Sequence, residues 1–436
     1  MTLSMILAAG TDYVNSYTLI IAASLIVVLS YFFNVIAKET NIPSVLMLII
    51  TGILIKLGLE HFHIPELNLF PTLELLGIVG LIMIVLEAAL DLDISRDKLP
   101  IIGKATMVAL LGLLGSAFTA AMTIQYFLDV DFNHALLYAT PLSILSSAII
   151  IPSVGRLRDD KKEFMVYEGT ISDILGIMMF YLILTIIESG SLKSAGADFG
   201  VSLFLTILVS IVASYLLVLL FQNITTQVKL FLLIAVLLLL YSAGKLLHLS
   251  PLLLILSFGI VFTNPKLFFV GPIKDWVDEE TLGIIEKEFH IVTIETAFIV
   301  RTFFFVVFGM TITLSSILNW NVMIISMLII ILLYVVRVIL LRIFVGKDLL
   351  PELYIAPRGL ITILLFYAIP KSAQLDNFDS GILLFIILIT SFVMTFGLVA
   401  HGEDRSKQFI DLSPDEPEGA NDSELTTTVD PLDSAQ

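Results

Sequence analysis

The chain has 436 residues, of which 58% are hydrophobic and 14% charged, with a mean hydropathy of +1.02 and a formal net charge of −16. Soluble domains carry about 25% charged residues, so this composition excludes a water-soluble enzyme and a disordered chain. The long continuous apolar runs exclude an outer-membrane barrel, whose strands alternate. The absence of cysteine excludes disulfides, thiolate metal sites and cysteine nucleophiles.

A helix crossing a bilayer takes roughly 20 apolar residues. Thirteen such segments follow in chain order, at about 16–36, 42–58, 73–90, 103–128, 133–152, 163–187, 199–222, 229–247, 249–264, 291–314, 320–345, 350–370 and 379–401. They predict an all-α polytopic membrane protein. The short apolar stretch Leu3 to Ala9 has no basic residues before it and does not read as a cleaved signal peptide. Only Leu249-Ser250-Pro251 divides the eighth span from the ninth.

Charge tests the count. With the N-terminus outside, the inner loops and the tail receive seventeen Lys and Arg, including Arg156, Arg158, Arg337 and Arg342. The outer positions receive only Lys56, Lys193, Lys245 and Lys371. Cytoplasmic loops carry the excess of Lys and Arg, which predicts an inner (cell) membrane protein with its C-terminus in the cytoplasm. Merging spans eight and nine would invert this pattern. Residues 403–436 hold ten acidic residues against Arg405 and Lys407 and have no apolar period, the pattern of a disordered acidic tail. Residues 1–402 form the membrane domain. Ile273 to His290 reads as an amphipathic helix on the cytoplasmic surface or as a connector packed on the bundle.

Two spans contain helix breakers. Span five holds Thr140-Pro141, with Ser146-Ser147 and Pro152 beyond, and span twelve holds Pro357-Arg358-Gly359. Proline removes a backbone donor and disfavours helix before it. Unwound backbone survives in a membrane only where protein or a water-filled cavity satisfies it. Spans four to six and eleven to thirteen match as an inverted repeat, each broken in its middle member, and such pairs point to a transporter's binding site.

Charged residues within spans are costly. Span six carries Glu168 and Asp173. Five residues apart on a helix, they point about 140° away from each other, so one can be locked in an ion pair while the other faces a cavity. Arg301 and Arg358 are candidate partners for Glu168, and Glu295 is a further candidate there. Asp173 has no sequence-adjacent cation and is the candidate carrier of a proton or a cation. Ser172 and Thr140 hydroxyls and carbonyls freed near Pro141 would complete its oxygen ligands. Glu87, at the end of span three, lines an inner funnel or caps packing. His61 and His63 read as surface histidines, since no third metal ligand accompanies them. No phosphate loop or nucleotide fingerprint is present, so neither hydrolysis-driven pumping nor nucleic-acid binding is expected.

These residues resemble the monovalent cation/proton antiporter superfamily, in its sodium/proton exchanger-like branch, over about 15–402. Glu168 to Asp173 resembles its glutamate–spacer–asparagine-aspartate signature. Leu86 to Asp93, Arg358-Gly359, the phenylalanine-rich run from Arg301 to Gly309, and Thr140-Pro141 resemble further motifs in order. The resemblance implies two crossed broken helices and an elevator-like motion. It implies a core bundle including about 73–187 and 291–401, with the remaining helices serving for linking and dimerisation. It implies a homodimer, Asp173 as the transient Na+ and proton site, and Glu168 paired with an arginine, Arg358 by the family pattern. No cofactor is implied beyond the transported Na+ (or K+ or Li+) and H+. Ser172 stands where electroneutral members have asparagine and electrogenic ones aspartate, and the aspartate of the first break is absent. The expected function is secondary antiport of a monovalent cation, Na+ first, for H+, one for one. The alternatives are K+/H+ antiport or a non-transporting sensor or channel-like relative.

Overall fold

The structure, a computed structural model, describes residues 16–401 except 41, 62–69, 93–95, 191, 223–228, 247–248, 250, 270–278, 313–315, 317–318 and 376. The acidic tail, the N-terminal stretch and His63 lie outside the described residues. Among those described there is helix and loop and no strand. The helices are α1 (Ser16–Thr40), α2 (Ser44–His61), α3 (Phe70–Leu90), α4 (Leu99–Leu128), α5 (Phe132–Ser143), α6 (Ser147–Ser153) and α7 (Asp159–Ser189). They continue as α8 (Leu192–Gln222), α9 (Lys229–Leu246), α10 (Pro251–Thr263), α11 (Glu279–Thr311), α12 (Trp320–Phe344), α13 (Leu360–Tyr367) and α14 (Gly381–His401). Nine described segments, with α5 and α6 taken as one, are long and apolar enough to cross a membrane, and shorter apolar helices lie in α8, α9 and α10. Hydrocarbon offers no hydrogen bonds to a backbone, so a run of Leu, Ile and Val at that depth satisfies its own amides by coiling.

Packing sorts the helices into two bundles. In the first, α11 lies on α2 and α3, α10 lies on α3, α8 and α9, and α1 lies on α2 and α11. In the second, α4 lies on α5, α7 and α12, α5 and α6 lie on α7, and α14 lies on α12. Small residues set the first arrangement. A Cβ on Gly52 of α2 would sit 2.1 Å from the Val306 carbonyl of α11, and one on Gly309 would sit 2.3 Å from the Ile49 carbonyl. Backbones approach that closely only without side chains between them. Gly259 of α10 likewise faces Ala89 of α3.

By packing, α3 and α11 lie with the first bundle, where their small-residue faces match α2 and α10. Two expectations change. Residues 279–290 are not a separate surface helix but the opening turns of α11; 270–278 lie outside the described residues. Finally, the chain does not break at Pro141. Proline sits inside α5, the helix runs on to Ser143, and Ile144–Ser146 form the interruption. A proline lacks only its own N–H and clashes toward the preceding turn, so one further turn is tolerated.

Candidate ion site

Backbone amides at the first interruption find partners within the second bundle. The Leu145 N–H donates to Ser172 Oγ (3.0 Å), and the Ser146 N–H donates to the Pro357 carbonyl of the other interruption (2.9 Å). The Ser147 N–H donates to Asp173 Oδ2 (3.3 Å), and the Ser147 hydroxyl donates to the same oxygen. Residues 351–359 are irregular ahead of α13. Gly359 passes against the first break, where a Cβ would lie 2.5 Å from Ser146 Oγ, so the two interruptions meet only because this residue is glycine. Buried backbone amides must be paired, and here each break supplies part of the other's pairing.

The arginines serve carbonyls as much as carboxylates. Arg358 is 3% exposed. Its Nε donates to the Leu142 carbonyl (2.9 Å) and its Nη1 to the Ala356 carbonyl (2.5 Å), while Nη2 reaches the Ser143 carbonyl at 3.5 Å. It thus caps the C-terminal end of α5, where carbonyls lack helical partners and the helix dipole is negative. Glu168 pairs instead with Arg337 of α12, in a bidentate bridge of 2.7 and 3.1 Å. Arg337 also donates to the carbonyls of Glu352 (2.7 Å) and Ile355 (3.0 Å). The expected Glu168 pairings with Arg358 and Arg301 are therefore corrected: Arg358 is consumed by carbonyls, and Arg301 lies on the first bundle. Sequence reading counted Arg337 as a loop charge. Its place eight residues before the expected span end was the missed signal. Buried Lys161 bridges Glu352 at 3.1 Å and Asp348 at 2.9 Å, which fixes the first turn of α7 to the irregular segment.

Asp173 is 3% exposed. Its Oδ2 takes both donors of Ser147, whereas Oδ1 is buried without a hydrogen-bond partner, as is Ser146 Oγ. Among the described residues no cation pairs with Asp173. Thr140 lies a turn before the break and donates to the Leu136 carbonyl at 2.7 Å. Ser172 accepts from the break's backbone. Glu87 faces Arg301 at 3.6 Å, and Glu295 is an exposed side chain on α11, part of neither buried group. Ser147, quoted above only as part of the sequence after the break, touches Asp173 directly.

A cavity of about 370 Å³ opens between the bundles. Asn34 and Ser44 line it from the first, and Ala148, Ile149, Ser153 and Arg156 from the second. Ala148 follows Ser147, so this vestibule reaches the edge of the Asp173 site. A second cavity of about 20 Å³, room for about one water, lies among Ser143, Ser172, Glu168, Arg337 and Arg358. Among the described residues no three His, Cys, Asp or Glu side chains cluster as a metal centre.

Irregular backbone at membrane depth, sealed by its own bundle and approached by a cavity from one side, is the architecture of a secondary ion transporter. Residues 22–401 match the family described as sodium/hydrogen exchanger, transmembrane, and the chain belongs to that family. It is thus a multi-pass membrane protein of a transporter family, with cation/proton antiport as the family's activity. The fold is similar to that of the sodium proton antiporter MjNhaP1 from Methanocaldococcus jannaschii at pH 8, with a TM-score of 0.68 and 19% identity over 87% of this chain and 96% of that one. A second structure of that antiporter aligns with a TM-score of 0.62 and 17% identity over 96% and 100%. No curated protein sequence matches.

Proposed function

We propose that the protein exchanges Na+ for H+, one for one, by alternating access, with Asp173 as the single carrier of either ion. The observation that carries this reading is the partnerless Asp173 Oδ1. An isolated buried carboxylate is costly unless a proton or a cation neutralises it. Nearby Ser146 Oγ is also without a partner, and the Ser147 hydroxyl already points at Asp173, so oxygens are at hand for a small cation. The second bundle is the moving element and the first is the scaffold, through which a homodimer would form. The vestibule, bordered by Arg156, is the cytoplasmic entrance in the orientation that the Lys and Arg distribution supports. The sodium proton antiporter with the similar fold and the family match favour Na+ over K+.

The test is Asp173→Asn in proteoliposomes loaded with a pH-sensitive dye, each cation being added in turn. Asparagine is neutral and close in size, so the fold should persist while Na+-driven proton movement disappears. Undiminished exchange by a well-folded Asp173→Asn protein would sink the assignment. Exchange driven by K+ but not Na+ would reassign the ion alone.

A further inference from the structure

Arg301 stands on α11, in the first bundle, yet it bonds to the second. Its Nη1 donates to the Ala148 carbonyl at 3.0 Å, and its Nη2 lies 3.6 Å from Glu87 Oε2 on α3. Ala148 is the residue after Ser147 and a wall of the vestibule. The Arg301 side chain is 13% exposed, so the bond is sheltered, and a charged donor makes it stronger than a neutral one. Nearby on α3, Gly77 faces Leu364 of α13, and Gly80 faces Val300 of α11 and Leu360 of α13, while His290 pairs with Asp91 at 2.9 Å close to Glu87. At the vestibule mouth Glu39 and Arg156 also pair across the boundary at 3.7 Å, but both side chains are about half exposed or more, and such pairs contribute little.

We propose that Arg301 is an inter-bundle latch. It holds α6, and with it the Asp173 site, docked toward the vestibule, and it must release the Ala148 carbonyl each time the site turns to the other side. Glu87 aims the guanidinium from the scaffold side without itself touching the second bundle's carbonyl. α6 packs on α7, so a bond at α6 reaches the helix that carries Asp173. Arg301 is a positioning residue in this role, distinct from the ion-pair partner of Glu168 expected above. The proposal rests on the alternating-access reading, but its test measures docking and not transport. The two can therefore fail separately.

The chain contains no cysteine, so Ser153→Cys places one thiol in the vestibule. Its labelling rate by a membrane-impermeant maleimide, in vesicles of known sidedness, reports how often the vestibule is open. Adding Arg301→Gln should slow labelling about tenfold, equivalent to ~1.4 kcal/mol in the docking equilibrium. Arg301→Lys keeps the charge with a single flexible donor group and should label at an intermediate rate. Glu87→Gln leaves the bond to Ala148 in place and should label within about twofold of the parent, below the tenfold step of the latch. An unchanged or faster rate with Arg301→Gln, or an equal slowing with Glu87→Gln, overturns the latch. If the glutamine variant does not fold, the lysine variant decides, and a rate equal to or above the parent's overturns the proposal.

Discussion

Breaking the Glu168–Arg337 bridge should destabilise the second bundle more than any other single polar change in it. Both side chains are buried, and the bridge is bidentate at 2.7 and 3.1 Å. Glu168→Gln leaves the guanidinium buried without a counter-charge, a loss of about 3–5 kcal/mol. Arg337→Met should cost more. It strands the carboxylate and also frees the Glu352 and Ile355 carbonyls that Arg337 holds, at about 1–3 kcal/mol for each group left unsatisfied. The double variant removes both charges together, so its loss should fall short of the sum of the singles by several kcal/mol, since the pair's desolvation cost disappears with it. Unfolding of the purified protein by sodium dodecyl sulfate in mixed micelles, followed by tryptophan fluorescence and far-UV circular dichroism, measures all four corners of the cycle. Losses that add to within about 0.5 kcal/mol would refute the bridge as the interaction that joins α7 to α12.

Two further outcomes follow from the site. Ser147→Ala removes a hydroxyl that donates to Asp173 and should raise the KM for the cation about tenfold, the lower end for a hydrogen bond to a charged group, with the maximal rate little changed; KM is read from dye-reported exchange at stepped cation concentrations, and an unaltered KM would remove Ser147 from the site. Exchange by the native protein should not be driven by a potassium diffusion potential set with valinomycin when Na+ is the exchanged ion. Voltage acts at about 2.3 kcal/mol per charge per 100 mV, so a strong dependence on that potential would mean net charge moves in each cycle.

The long apolar runs made the membrane class and the helical spans legible, and the glycine and proline positions marked which spans are interrupted. The five-residue spacing of Glu168 and Asp173 was enough to separate a locked carboxylate from one near the break. Their partners were not legible, because each partnership is tertiary. Arg337 lies 169 positions from Glu168, and nothing local distinguishes it from Arg342 except depth in the span. The site of the break was misplaced for a related reason. Proline announces a disturbance, but where the helix stops depends on who accepts the freed groups, and those acceptors are Ser172 and Asp173 on α7 and Pro357 in the other interruption. In the fold α3 and α11 choose neighbours by close glycine contacts rather than by order in the chain.

The arrangement of buried charge gives a reason for the proposed single-ion exchange. Among the described residues the buried charged side chains are Lys161, Glu168, Asp173, Arg337, Glu352 and Arg358, and all six lie in the second bundle or its irregular segment. Glu168 cancels Arg337 and Glu352 cancels Lys161. Arg358, held by carbonyls rather than by a carboxylate, leaves one positive charge, and ionised Asp173 one negative. The empty carrier is therefore neutral in sum. A proton on Asp173 or a monovalent cation beside it leaves the same single positive charge, because the hydroxyls of Ser146, Ser147, Ser172 and Thr140 do not titrate in the working range. The two loaded states then meet the same electrostatic barrier when the bundle moves, and opposite half-cycles cancel. A divalent cation would add a further uncompensated charge to a buried site, at an effective cost of several kcal/mol. On the proposed reading, selection for monovalent ions needs no purpose-built cage around Asp173. It follows from placing one free carboxylate in a bundle whose other charges are already matched or capped.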